Sequence, residues 1–287
     1  CLLLPLAPTL QESNMSPTLP GWRLLWSDEF NGAAGSLPDE SKWDIKNDVR
    51  PGQYNREEQQ WYIKDTWVVS INGESMLHIK PQWNNNWYSA RLEGRASYSC
   101  PAGKQLMIQA ELRTGYAPPE NQSGIWPAFW TLGQDYRNGI KWPHCGELDI
   151  FENGHGNNLM LGVLHYGNVG DAGSQQISSG FHQFDKNAFN TWAIKINCTS
   201  SNWKDQSITW YHNGNAFHQV FGRQLTYGRD DAQREIYWKR LAQWNIFPIL
   251  NVAVGSSFPG AGQPNAITSK GLDVGLQVKY VAIYEST

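Results

Sequence analysis

The run GELDIFENG, residues 146–154, decides how the rest of the chain is read. It sets three carboxylates, Glu147, Asp149 and Glu152, among Leu148, Ile150 and Phe151. Acidic and apolar residues alternate through Ile150, as in a strand with one face in a core and the other face out of it. The alternation then breaks, because an unbroken strand would turn Glu152 to the face opposite Glu147. A one-residue β-bulge near Ile150 or Phe151 sets two residues against one on the neighbouring strand and returns Glu152 to the face of the other two acids. Glu147 and Glu152 are then about four strand steps apart, roughly 13 Å between Cα atoms at about 3.3 Å per residue. Two glutamate side chains leaning together close that gap to about 5 Å between carboxyls.

Carboxyls at that spacing suit substitution at an anomeric carbon. One must be ionised to attack the carbon and the other must hold a proton for the departing oxygen, so their pKa values have to be driven apart. Asp149, between them, can hydrogen-bond the attacking group and, through like-charge repulsion, help keep the other acid protonated.

The remaining sequence frames this strand. The chain has 287 residues, 23 basic and 26 acidic, for a formal charge of -3, which gives neither a basic field for nucleic acid nor an acidic tail. Fifteen Trp and 12 Tyr are an unusual number; extra indoles can be plain core, but their apolar faces and polar edges also suit ligands that are half apolar, such as sugar rings. MLHIKPQ, KQLMIQAELR, NTWAIKIN, SITWYHNG and LQVKYVAIY read as strands, separated by turn signals such as NGES, HNGN and FPGAGQP. Only DDAQREIYWKRLAQ reads as a helix, and composition does not shift past residue 20. The expectation is an all-β sandwich of two antiparallel sheets forming one domain over residues 21–287, with residues 1–20 a signal-peptide remnant or N-terminal tail. Sequons at Asn14, Asn121 and Asn197 fit a secreted glycoprotein. With Cys1 removed, Cys100, Cys145 and Cys198 allow one disulfide and one free thiol, and spacing does not choose the pair. No Cys/His spacing forms a zinc motif.

GELDIFENG resembles the active-site strand of glycoside hydrolase family 16 in its bulged E-x-D-x-x-E form, the laminarinase-like endo-β-1,3-glucanase branch. Other elements resemble the family in order: WSDEFNG at 26–32, NREEQQWY at 55–62, YSARLEGR at 88–95, SGIWPAFWTLG at 123–133, VLHYG at 163–167 and ILNVAVGSSFPG at 249–260. The resemblance implies a β-jelly roll with an open concave cleft. It implies Glu147 as nucleophile, Asp149 as assisting acid and Glu152 as general acid/base. It places Trp126 and Trp130 on the non-reducing side of the cleft, Trp142 near the cleaved unit, and Asn55 and Arg91 at glucosyl hydroxyls. His165 is expected near the acid/base and the leaving-group sugar.

Two departures stand out. Where many laminarinase-like members have an Asp that helps bind a structural calcium near the D-E-F segment, VKYVAIY has Lys279, whose ammonium offers no oxygen ligand. No calcium and no other cofactor or metal is therefore expected. Phe258 stands in SSFPG where the family often has Trp, which alters the cleft edge. The implied function is a secreted retaining endo-β-glucanase acting on β-1,3-glucan and extending to mixed-linkage β-1,3/1,4-glucan. The alternatives are a hydrolase or transglycosylase for another β-linked polysaccharide, such as a galactan, and a non-catalytic β-glucan-binding protein. The implied partner is polysaccharide alone, with no nucleic acid, no membrane and a monomeric state.

Overall fold

A computed structural model describes residues 15–170, 173–256, 258 and 260–287. Asn14, Cys1 and most of the expected N-terminal tail lie outside the described residues. Alternating apolar residues build two large antiparallel sheets. The first runs in the order Asn215–Phe221, Ser207–His212, Asn190–Asn197, Gln105–Thr114, Leu276–Ser286, Leu77–Ile79, Val69–Ile71, with Trp22–Asp28 also paired to Leu276–Ser286. The second, which carries the acids, runs Ser174–Ser178, Leu159–Gly167, Glu147–Asn153, Ile125–Gly133, Ile246–Val254, Arg91–Gly94, Trp43–Ile45, with His182–Gln183 paired to Leu159–Gly167. The five expected strands are all present in these sheets. A small third sheet joins Gln60–Tyr62, Trp87–Ser89 and Gln82–Trp83, and its first pair is parallel, which alternation alone does not reveal.

The inward faces of the two sheets share one core containing Ile108, Ala110, Phe129, Leu148, Ile150, Phe151, Ile194 and Trp210. Phe151 packs 4.9 Å from Trp192 and 5.4 Å from Phe184, ring centre to ring centre. Burying such a ring stabilises by about 1.5–3 kcal/mol. The expected helix forms over Asp231–Trp238, started by the Asp230 side chain accepting from the Gln233 N–H at 2.9 Å. It continues as a π-helical turn over Lys239–Gln243, placing Tyr237, Trp238 and Leu241 in the core. Cys100, Cys145 and Cys198 are free, buried thiols; Cys100 and Cys198 lie within hydrogen-bonding reach of each other, while Cys145 sits in a separate cluster with Leu132, Phe247 and Ile249.

Candidate active site

The acidic strand is bulged where its spacing predicts. Asp149 faces Val163 on one neighbour and Trp130 on the other, whereas Glu152 faces Leu161 and Ala128, so Ile150 and Phe151 together oppose the single residue Gly162. Both bulge side chains turn into the core. Glu147, Asp149 and Glu152 consequently share the other face of the sheet, which is laid out in rows by the register. Glu152 lies in line with Ala128, Asn251 and Arg91; Asp149 with Trp130, Ile249 and Glu93; Glu147 with His165, Leu132 and Phe247.

The three acids meet different neighbours. His165 Nε2 is 3.8 Å from Glu147 Oε1 and 3.2 Å from Asp149 Oδ2. The register places His165 directly opposite Glu147, so it stands at the Glu147 end of the row rather than beside Glu152 as the resemblance implied. Asp149 is buried, and its Oδ2 receives no hydrogen bond in spite of the nearby imidazole. Glu152 accepts a hydrogen bond at 3.0 Å from Trp126 Nε1. Glu147 interacts with the side chain of Trp142, a half-exposed ring whose centre is 5.6 Å from that of His165.

Burial raises all three acids. Glu147 is pushed up to about 8, first by burial and then by the charge of Asp149, against the opposing pull of His165, Trp142 and Arg91. Asp149 lies well above the usual carboxylate range because of burial. Glu152 does too, from burial first and the Asp149 charge second, with His165 and the Trp126 hydrogen bond opposing. Like charges this close do not all ionise together, so the row shares protons. Glu147, Asp149 and His165 each offer an atom within 4.8 Å of the others, a spacing that could also hold a cation.

Of the other expected contacts, Trp130 donates through Nε1 to Asn251 Oδ1 at 2.8 Å, and Asn251 donates to the Tyr62 hydroxyl at 3.2 Å. Arg91 is buried and tied to Glu93 Oε1 by Nε and by a second nitrogen, each at 2.9 Å. Its guanidinium lies between the rings of Tyr54 (4.2 Å) and Trp130 (4.7 Å). Asn55 is half-buried and accepts from the Glu57 N–H of its own loop. Trp126 is backed by Phe258, stacked at 5.2 Å. Asn251, Glu93 and Tyr54 escaped the sequence reading. Asn251 left a signal in retrospect, as the one polar side chain in the buried run IFPILNVAV.

A β-jelly roll carrying two glutamates on one face of a bulged strand is the architecture of a glycoside hydrolase. The profile of XgeA-like catalytic domains of family GH16 matches residues 64–225, and the chain belongs to glycoside hydrolase family 16. It is 28% identical to a glucan endo-1,3-beta-glucosidase A1 of Niallia circulans over 94% of this chain and 39% of that one. It is 28% identical to a beta-glucanase of Rhodothermus marinus over 95% of this chain and 88% of that one. The crystal structure of an endo-1,3-beta-glucanase from Streptomyces sioyaensis superposes with a TM-score of 0.81 at 28% identity, covering 95% of this chain and all of that one. The chain spans about two fifths of the length of the Niallia relative.

Proposed function

We propose that this chain is the catalytic unit of a retaining endo-β-glucanase that cleaves β-1,3-glucan, and mixed-linkage β-1,3/1,4-glucan as a further substrate. Glu147 attacks the anomeric carbon while Glu152 gives its proton to the departing glycosidic oxygen. Glu152 then takes a proton from water, which attacks the same carbon and releases Glu147. The observation that carries this reading is the bulge, which sets Glu147 and Glu152 on one face with a single row between them. Asp149 completes the proton arrangement. Its unbonded Oδ2 is better satisfied as a hydroxyl, and a neutral Asp149 removes the like charge that raises Glu147. Glu147 can then ionise, helped by His165, Trp142 and Arg91, while Glu152 keeps its proton.

No cofactor enters these steps. Trp142, half-exposed beside Glu147, and Trp130, in the row of Asp149, offer indole faces for glucosyl rings. A polymer substrate implies action outside the cell, with the domain working as a monomer. The test is incubation with laminarin, mixed-linkage glucan and a galactan, with products sized and the first-formed anomer read by NMR. Laminarin fragments released first as the β-anomer support the reading; release of the α-anomer, or no cleavage of either glucan, sinks it.

A further inference from the structure

The bulge is braced from the other sheet, at the carbonyl of the residue that precedes it. Trp210, on Ser207–His212, is completely buried and donates through Nε1 to the Asp149 oxygen at 2.7 Å. Its path crosses the one residue that opposes the bulge. A Cβ on Gly162 would come within 2.6 Å of Trp210 Cδ1 and 2.9 Å of its Nε1, so the missing side chain opens the slot that the indole fills. Gly162 is itself held by Ser179, whose N–H donates to the Gly162 oxygen at 2.8 Å and whose hydroxyl accepts from the Gly162 N–H at 3.0 Å. The bulge is thus fixed on three sides: strand pairing to either flank and an indole from behind.

We propose that Trp210 is a positioning residue for the reaction, passing over Gly162 to lock the Asp149 carbonyl and, through it, the bulge that sets Glu152 against Glu147. This rests on the roles proposed above for the two glutamates. Trp210 touches no substrate. Its effect is on the distance and tilt between two carboxyls, where a displacement on the order of 1 Å can cost up to a hundredfold in rate. The sequence gives no hint of the link, since Trp210 lies 61 positions from Asp149 in the other sheet.

The neighbouring strand supplies a matched control. Trp192 is as fully buried and packs against Phe151 of the bulge, but its Nε1 has no hydrogen-bond partner, so Trp192→Phe trims packing at the bulge while leaving every hydrogen bond to it in place. The experiment measures kcat and KM on laminarin for Trp210→Phe and Trp192→Phe, well below both melting temperatures. Trp210→Phe is expected to lower kcat ten- to a hundredfold with KM within about twofold, and Trp192→Phe to change kcat by less than about threefold. Equal kcat for the two variants overturns the inference. If Trp210→Phe does not fold, Gly162→Ala, which pushes the indole off its carbonyl, takes its place against the same control, with the same two outcomes. Glu152→Gln separates this failure from a wider one. If Glu152→Gln stays active, the roles of the glutamates are wrong; if it is inactive while Trp210→Phe matches Trp192→Phe, only the brace is wrong.

Discussion

The strand Glu147–Asn153 in one sheet and Leu276–Ser286 in the other each carry an extra residue, at Ile150–Phe151 and at Lys279. In the second strand Leu276 and Val278 face the core before the bulge and Val281 and Ile283 after it, while Tyr280, Ala282 and Tyr284 share the outer face. Lys279 pairs with Glu111 at 2.6 Å and lies 4.5 Å over the ring of Phe189. There a buried charge meets its opposite, and the arrangement is fixed. At the first bulge three groups of the same sign crowd together, with an imidazole and two indoles for company. Matched charges hold structure in place, whereas buried acids of like sign cannot all be ionised at once.

The contrast breaks most decisively at the acids. Glu147→Gln and Glu152→Gln should each lower kcat on laminarin by at least about a thousandfold while leaving the circular dichroism spectrum unchanged. A loss under about tenfold in either would put that residue outside the chemistry.

The second test is pH. Folding raises the carboxyl pKa values in the acidic row, so the folded chain binds more protons than the unfolded one. Their favourable contribution is fully present below the unfolded value, near 4.5, and for Glu147 is lost as pH rises through about 8. Melting temperature should therefore decline across that window, and Glu147→Gln should flatten the decline and raise the melting temperature at pH 8. A variant no more stable than the parent at pH 8 would show that the row carries no strain.

Lys279→Ala probes the other bulge. Glu111 is left without its ammonium but is partly exposed, so the loss should be about 1–2 kcal/mol, a fall of a few degrees in melting temperature, with kcat on laminarin unchanged. Because an ammonium at Lys279 stands where a carboxylate would be needed to hold calcium, chelator is expected not to alter the melting temperature, and a calcium-dependent rise would overturn that expectation.

The smallest effect belongs to Trp126→Phe, which keeps the ring against Phe258 and removes the N–H that stabilises ionised Glu152. The basic limb of the kcat profile should move to higher pH, with kcat at the optimum down by about two- to fivefold. An unmoved basic limb would separate Trp126 from the titration of Glu152.

The bulge was legible because its cause is local: three acids whose spacing fits neither face of a regular strand. The same holds for the long strands and for the helix start at Asp230, where period and capping are written in adjacent residues. What escaped is set by register. Nothing in VLHYG says that His165 faces Glu147, and nothing in RLEG says that Arg91 and Glu93, two apart on one face, bind each other rather than a ligand. Trp126 shows the limit most clearly. Its motif suggested a sugar platform, but only the packing of Phe258 and the row of Glu152 direct its N–H onto a carboxylate.

The meeting of Cys100 and Cys198 has a consequence for the unfolded chain rather than the folded one. The two thiols lie 98 positions apart in sequence and side by side in the core, with the Cys198 thiol held protonated by its hydrogen bond to Cys100 and by burial. A covalent bond formed there would close a loop of about 100 residues and remove configurational freedom worth on the order of 5 kcal/mol from the denatured ensemble. It would form as the chain folds more readily than afterwards, because a buried thiol that keeps its proton is a poor nucleophile. The redox conditions under which this polypeptide first collapses would thus leave a lasting difference in how hard it is to unfold.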